Sequence, residues 1–133
     1  MLQIKKISKS IKGKKIVSNI TFSVESGEVF GLLGPNGAGK TTIFYIIAGL
    51  MNCDNGKIIL SNKTISNISM HNRSKLGINY LPQEPSIFQN LTVYENLYGL
   101  AELSFSWKKD IRNFIDKSIE EFNLSEICNL KGR

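Results

Sequence analysis

The sequence predicts an α/β fold, and three observations carry that prediction. An apolar run, Val29-Phe30-Gly31-Leu32-Leu33, leads through a glycine-rich turn into a helical run from Ile43 to Leu50, as a buried strand feeding a helix does. Ahead of it, apolar segments joined by Lys12-Gly13-Lys14 read as antiparallel strands. Beyond it, Leu76-Gly77-Ile78-Asn79-Tyr80-Leu81 reads as a second core strand.

Taken in order, Leu2 to Ser8 alternates as a strand, with Ile4 and Ile7 separated by two lysines. Ile16 to Val24 returns with Ile20, Phe22 and Val24 on one face, and Ser26-Gly27-Glu28 turns the chain again. After the helix, residues 52–56 (Asn-Cys-Asp-Asn-Gly) form a turn cluster. Lys57-Ile58-Ile59-Leu60 is a short strand, and Ser61-Asn62-Lys63 is a second turn. Pro82-Gln83-Glu84-Pro85 is an extended loop, since two prolines forbid helix there. Thr92-Val93-Tyr94-Glu95 is a capping box opening a helix to about Leu103. Trp107 to Phe122 is a further helix with Ile111, Phe114, Ile115, Ile119 and Phe122 on one packing stripe.

The glycine-rich turn carries the chemistry. Gly34-Pro35-Asn36-Gly37-Ala38-Gly39-Lys40-Thr41-Thr42 fits the pattern G-x-x-x-x-G-K-[ST]. A loop that wraps a phosphate chain aims several backbone N–H groups inward, which needs conformations closed to residues with a Cβ. The helix beginning near Lys40 adds unpaired N–H groups and the positive end of its dipole. Lys40 then reaches the β- and γ-phosphates as a point charge, and Thr41 offers a hydroxyl to Mg²⁺. The predicted ligand is a nucleoside triphosphate.

Composition bounds what else the chain does. The 133 residues suffice for one domain, and 41% hydrophobic with 21% charged content describes a globular protein. No apolar run is long enough to cross a bilayer, and the first residues lack the apolar core of a signal peptide, so the expected address is the cytoplasm. Cys53 and Cys128 lie far apart without metal-ligand spacing, and His71 stands alone. The net charge of +6 is concentrated in Lys5, Lys6, Lys9, Lys12, Lys14 and Lys15. No aromatic is interleaved with these lysines, so they read as a solvated strand face, not a nucleic-acid surface.

Residues 34–42, then Tyr80-Leu81-Pro82-Gln83-Glu84, then Leu91-Thr92-Val93-Tyr94-Glu95-Asn96-Leu97, together resemble the nucleotide-binding subunit of ABC transporters. The wording of residues 70–78 and 81–88 is most similar to the ATPases of bacterial lipopolysaccharide exporters, with branched-chain amino-acid importer ATPases close beside them. The resemblance runs along essentially the whole chain. It implies the P-loop NTPase core of an ABC-type ATPase with an N-terminal antiparallel β-subdomain, incomplete at its C-terminal end. Residues 1–133 would be the N-terminal part of one such domain. It implies ATP and Mg²⁺ as ligands, held by Gly34, Asn36, Gly37, Ala38, Gly39, Lys40, Thr41 and Thr42. Gln83 would sense the metal and the attacking water. The segment from Glu84 to Phe88 would face transmembrane permease subunits, and a second ATPase subunit would complete a homodimer peripheral to the cytoplasmic face of the inner membrane.

Two departures from the family pattern qualify this. Where the family stacks an aromatic residue on adenine, the matching position is Ile11, which covers a base without the aromatic stacking contribution of about 1 kcal/mol. The family's signature loop, its apolar strand ending in Asp-Glu and its switch histidine have no counterpart in these residues. Those groups polarise the attacking water and close a second subunit over the γ-phosphate, so the resemblance implies nucleotide binding without turnover by this chain alone. A GTPase or small kinase would start with the P-loop strand and lack the preceding hairpin.

Overall fold

β1 (Leu2–Ile11) runs antiparallel to β2 (Lys14–Val24) on one side and to β3 (Asn55–Leu60) on the other. β3 turns back into β4 (Lys63–Thr64), giving the order β2-β1-β3-β4. This is the antiparallel N-terminal subdomain that the opening alternation predicts. The structure is a computed structural model that describes residues 1–132. Two-residue turns close both hairpins, with φ of 49° and 77° at Lys12 and Gly13, and 46° and 69° at Ser61 and Asn62. Paired positive φ matches the right-handed twist of the flanking strands. β1 continues past Ser8 to Ile11. β3 begins at Asn55, inside the cluster expected to be a turn.

The two lysines between Ile4 and Ile7 would place these isoleucines on opposite faces of a regular strand. Register shifts between Ile4 and Ile7 resolve the conflict, with Lys6 at φ 53°. Both isoleucines are then 1% exposed. The N–H groups freed by this bulge find hydroxyls: Lys6 N–H donates to Thr21 Oγ1 and Asn19 N–H to Ser8 Oγ, both at 2.9 Å. Ile4, Ile7, Val17, Ile58 and Ile65 close a core with Ile43 and Ile46 of α1 (Lys40–Ala48). Each such burial is worth roughly 1.5–3 kcal/mol.

Two predicted core strands do not form. Residues 29–33 and 76–81 pair with nothing among the described residues. A strand exists only through its ladder partners, and neither run has one here. Leu32 and Ile78 still pack on the core, and Phe30 stacks on Phe22 with ring centroids 4.7 Å apart. Val29, Leu33 and Leu81 are 99%, 94% and 89% exposed. The beginning of the second run belongs instead to the end of a helix the sequence reading missed, α2 (Met70–Lys75). Leu76 caps it, and Gly77 leaves it at φ 92°.

The chain divides into two compact units, Met1–Leu81 and Pro82–Arg133. In the second, Thr92 opens α3 (Val93–Ser104) through the predicted capping box. Glu95 N–H donates to Thr92 Oγ1 at 3.1 Å, and Thr92 N–H to Glu95 Oε2 at 2.7 Å. α4 (Lys108–Glu121) packs Ile111 and Ile115 against Ala101 of α3, while Phe122 at the end of the predicted stripe stays exposed.

Candidate functional site

The site is the turn between the run 29–33 and α1. Gly39 is the N-cap of α1 at φ 89°, and Gly37 stands at φ 78°. Left-handed backbone on either side of Ala38 is the arrangement that gathers successive N–H groups on one concave side. Gly39 has a second reason to be glycine. A Cβ there would lie 2.9 Å from the Ile16 carbonyl and 3.2 Å from Val17 Cγ2, because β2 passes against the loop.

Lys40, the first residue of α1, turns back over the loop. Its Nζ donates to the carbonyls of Gly34 and Pro35, both at 2.7 Å. This closes the turn on itself and holds the ammonium above it. No acidic residue occupies the first turn of α1, so no side chain of that turn offsets the positive end of the helix. The loop, the helix end and the ammonium lie together at the start of α1. Their chemistry fits a polyphosphate: amide donors, a point charge, and the exposed Thr41 beside them for a bound divalent ion.

The far end of α1 is fixed by a residue the sequence reading missed. Arg73 of α2 is 0% exposed and donates through one guanidinium nitrogen to the carbonyls of Ile46 (2.6 Å) and Ile47 (2.7 Å). Its other nitrogens reach Ser66 O at 2.7 Å and Ile68 O at 2.8 Å. The last carbonyls of a helix lack partners within it and carry its negative end. Arg73 satisfies both needs at the end of α1, and burial pushes its pKa down from the ordinary arginine value. The only available sequence signal was its rarity, since the cationic residues are overwhelmingly lysine. Tyr45 of α1 also meets Tyr80 edge-on at 5.9 Å, which ties the run 76–81 to the same helix.

The other predicted residues fall as follows. Gly34, Asn36, Gly37, Ala38, Gly39, Lys40, Thr41 and Thr42 are gathered in the loop and first turn. Ile11 pairs with Lys14 at the tip of the first hairpin, 37% exposed. Gln83 belongs to the second unit, exposed on an irregular loop that is non-helical as the two prolines require, but that bends at Gln83 and Glu84 where an extended course was expected. Of the segment 84–88, Ile87 and Phe88 are 48% and 72% exposed. Cys53 and Cys128 are free thiols. No helix among the described residues is long and apolar enough to cross a membrane.

Comparison with known proteins agrees with this geometry. The family model described as ABC transporter matches residues 17–131. The chain is 49% identical, over its whole length, to the lipopolysaccharide export system ATP-binding protein LptB of Haemophilus influenzae, of which it covers 56%. It is 41% identical over 99% of its length to LptB of Escherichia coli K12, covering 55%. The chain thus spans about half the length of these relatives. Among solved structures, MJ1267, an ATP-binding cassette of an ABC transporter, superposes on 98% of the chain with a TM-score of 0.81 at 27% identity, the chain covering 56% of it. The P-loop fold and the antiparallel subdomain are those of such cassettes, and the chain belongs to the ABC transporter family.

Proposed function

We propose that this chain is the phosphate-gripping part of an ATP-binding subunit that powers a lipopolysaccharide exporter. The observation that carries the reading is the Lys40 ammonium poised over the left-handed turn at Gly37 and Gly39, at the N-terminus of α1. The names of the 49% and 41% identical relatives supply the transported substrate. Loop amides and Lys40 would hold the ATP phosphates, Thr41 would attend Mg²⁺, and Ile11 would cover the adenine. A bound Mg²⁺ would supply charge neutralisation to the phosphates.

Hydrolysis in this reading belongs to the whole subunit acting as a homodimer on the cytoplasmic face of the inner membrane, with the segment 84–88 meeting the transmembrane subunits. Residues 1–133 bind nucleotide without turning it over, because no carboxylate of an Asp-Glu strand and no signature loop is among them. Parallel measurements of ATP binding and phosphate release on the purified chain test this. Binding with negligible release supports it, and sustained turnover overturns the assignment of catalytic roles.

A further inference from the structure

The sequence holds two Asn-Gly pairs, Asn36-Gly37 and Asn55-Gly56, and the fold treats them oppositely. An asparagine followed by glycine is open to cyclisation, because no Cβ shields the next backbone nitrogen from the side-chain carbonyl. The reaction needs freedom for that nitrogen to swing onto Cγ.

Asn36 and Gly37 have that freedom. Both are exposed, in a turn closed by Ala38 N–H donating to Pro35 O at 3.3 Å. Gly37 stands at φ 78°, and nothing lies within 4 Å of the place a Cβ would take. The hydrogen bonds described within the loop are this one and those from Lys40 Nζ to the carbonyls of Gly34 and Pro35. None of them engages the Asn36 side chain or the Gly37 N–H. The Lys40 ammonium sits on the same Pro35 carbonyl that closes the turn, and positive charge there favours the anionic nitrogen that attacks.

Asn55-Gly56 is held. Asn55 pairs with Ser8 across β1 and β3, and a Cβ on Gly56 would lie 2.5 Å from Lys6 O and 2.6 Å from Lys5 O. Rotating this pair into a ring breaks the strand register, so it waits on local opening of the sheet.

We propose that Asn36 is a deamidation site whose conversion puts a carboxylate into the phosphate turn and so cancels its grip on nucleotide. Hydroxide takes the Gly37 N–H proton, and the nitrogen forms a bond to Asn36 Cγ. The Cγ–Nδ2 bond then breaks. Ammonia leaves with a proton from water, which regenerates hydroxide, and a succinimide remains. Water opens one or the other imide C–N bond, giving aspartate or isoaspartate, and nothing is oxidised or reduced. The modification stands on the geometry alone, while its effect on nucleotide rests on the reading of this turn as the phosphate grip. In that reading the Gly37 N–H that attacks is also a donor to phosphate, so bound nucleotide blocks the cyclisation.

The full chain is aged in mildly alkaline buffer, and Asn36 and Asn55 are followed side by side by peptide mass mapping. In the folded chain Asn36 converts at least about tenfold faster than Asn55, and in urea the two rates come within about threefold. Equal rates in the folded chain overturn the site. So does a ratio that urea leaves unchanged, since neighbouring residues and not the fold would then set it. Saturating Mg²⁺–ATP slows Asn36 at least about fivefold in wild type and leaves Lys40→Ala unprotected. Nucleotide that binds without slowing Asn36 overturns the shared role of the Gly37 N–H. Fully converted chain and Asn36→Asp each bind Mg²⁺–ATP at least about tenfold more weakly than fresh chain, with circular dichroism unchanged. Asn55→Gln loses affinity on ageing as wild type does, and retention of affinity there overturns the switch. A loss of binding that comes with lost circular dichroism is unfolding and also overturns it. If fresh chain does not bind, the phosphate reading fails and the switch with it, while the mass map still decides the site. If fresh and converted chain bind equally, the phosphate reading stands and the switch is overturned.

Discussion

Gly49 makes room for Arg73. A Cβ at position 49 would lie 3.0 Å from the guanidinium Nε, and Gly49 itself stands at φ 85° as the C-cap of α1. The helix that begins at the phosphate loop therefore ends on a glycine–arginine lock. Gly49→Ala strains the backbone and crowds the arginine, at a cost of about 1–2 kcal/mol. Arg73→Ala leaves the carbonyls of Ile46, Ile47, Ser66 and Ile68 without their donor and costs about 3 kcal/mol or more. Urea unfolding midpoints measure both. Arg73→Lys recovers only part of the loss, because one ammonium cannot serve four diverging acceptors.

The capping box gives α3 a pH dependence of known sign. The Glu95 carboxyl is held below its ordinary value, first by the Thr92 backbone N–H and then by the Thr92 hydroxyl. A carboxyl with a depressed folded pKa adds stability that is complete above its unfolded pKa and is lost as pH falls through the folded one. Acid titration of the second unit's helical signal should fall over that window in wild type. Glu95→Gln should remove this contribution to the slope. Thr92→Ala should cost about 1 kcal/mol at neutral pH.

Ile11 offers a gain-of-function prediction. Replacing it with tyrosine restores the aromatic surface that the family resemblance expects over adenine. The proposal predicts ATP affinity improved by about 1 kcal/mol, roughly fivefold, with pyrophosphate affinity unchanged. Titration of ATP and pyrophosphate into Ile11→Tyr measures both.

The loop's backbone is as testable as its lysine. Gly39→Ala places a Cβ against the Ile16 carbonyl at a φ of 89°. Nucleotide binding should weaken by more than about tenfold while the β-sheet signal persists, as the damage is local.

Elements with self-contained signals were legible in the sequence. The hairpin turns at Lys12-Gly13 and Ser61-Asn62, the capping box at Thr92 and the helix start at Lys40 all declare themselves within a few residues, and all form as read. The runs 29–33 and 76–81 were read as strands from apolar content alone. Apolar content does not provide the ladder partner that makes a strand, and Val29 and Leu33 face outward instead. α2 was missed because six residues, Met70–Lys75, are too few for a periodic stripe, and its one buried side chain is a charged one. Arg73 and Asn96 act on backbone carbonyls and amides distant in sequence or lacking any side-chain pattern, so no motif announced them.

The grip on phosphate is the claim on which the rest stands, and calorimetric titration of Mg²⁺–ATP into the folded chain tests it most directly. The account predicts saturable binding by wild type that disappears in Lys40→Ala, with the circular dichroism of the two proteins alike. Equal affinity in the two, or no binding by well-folded wild type, would contradict it.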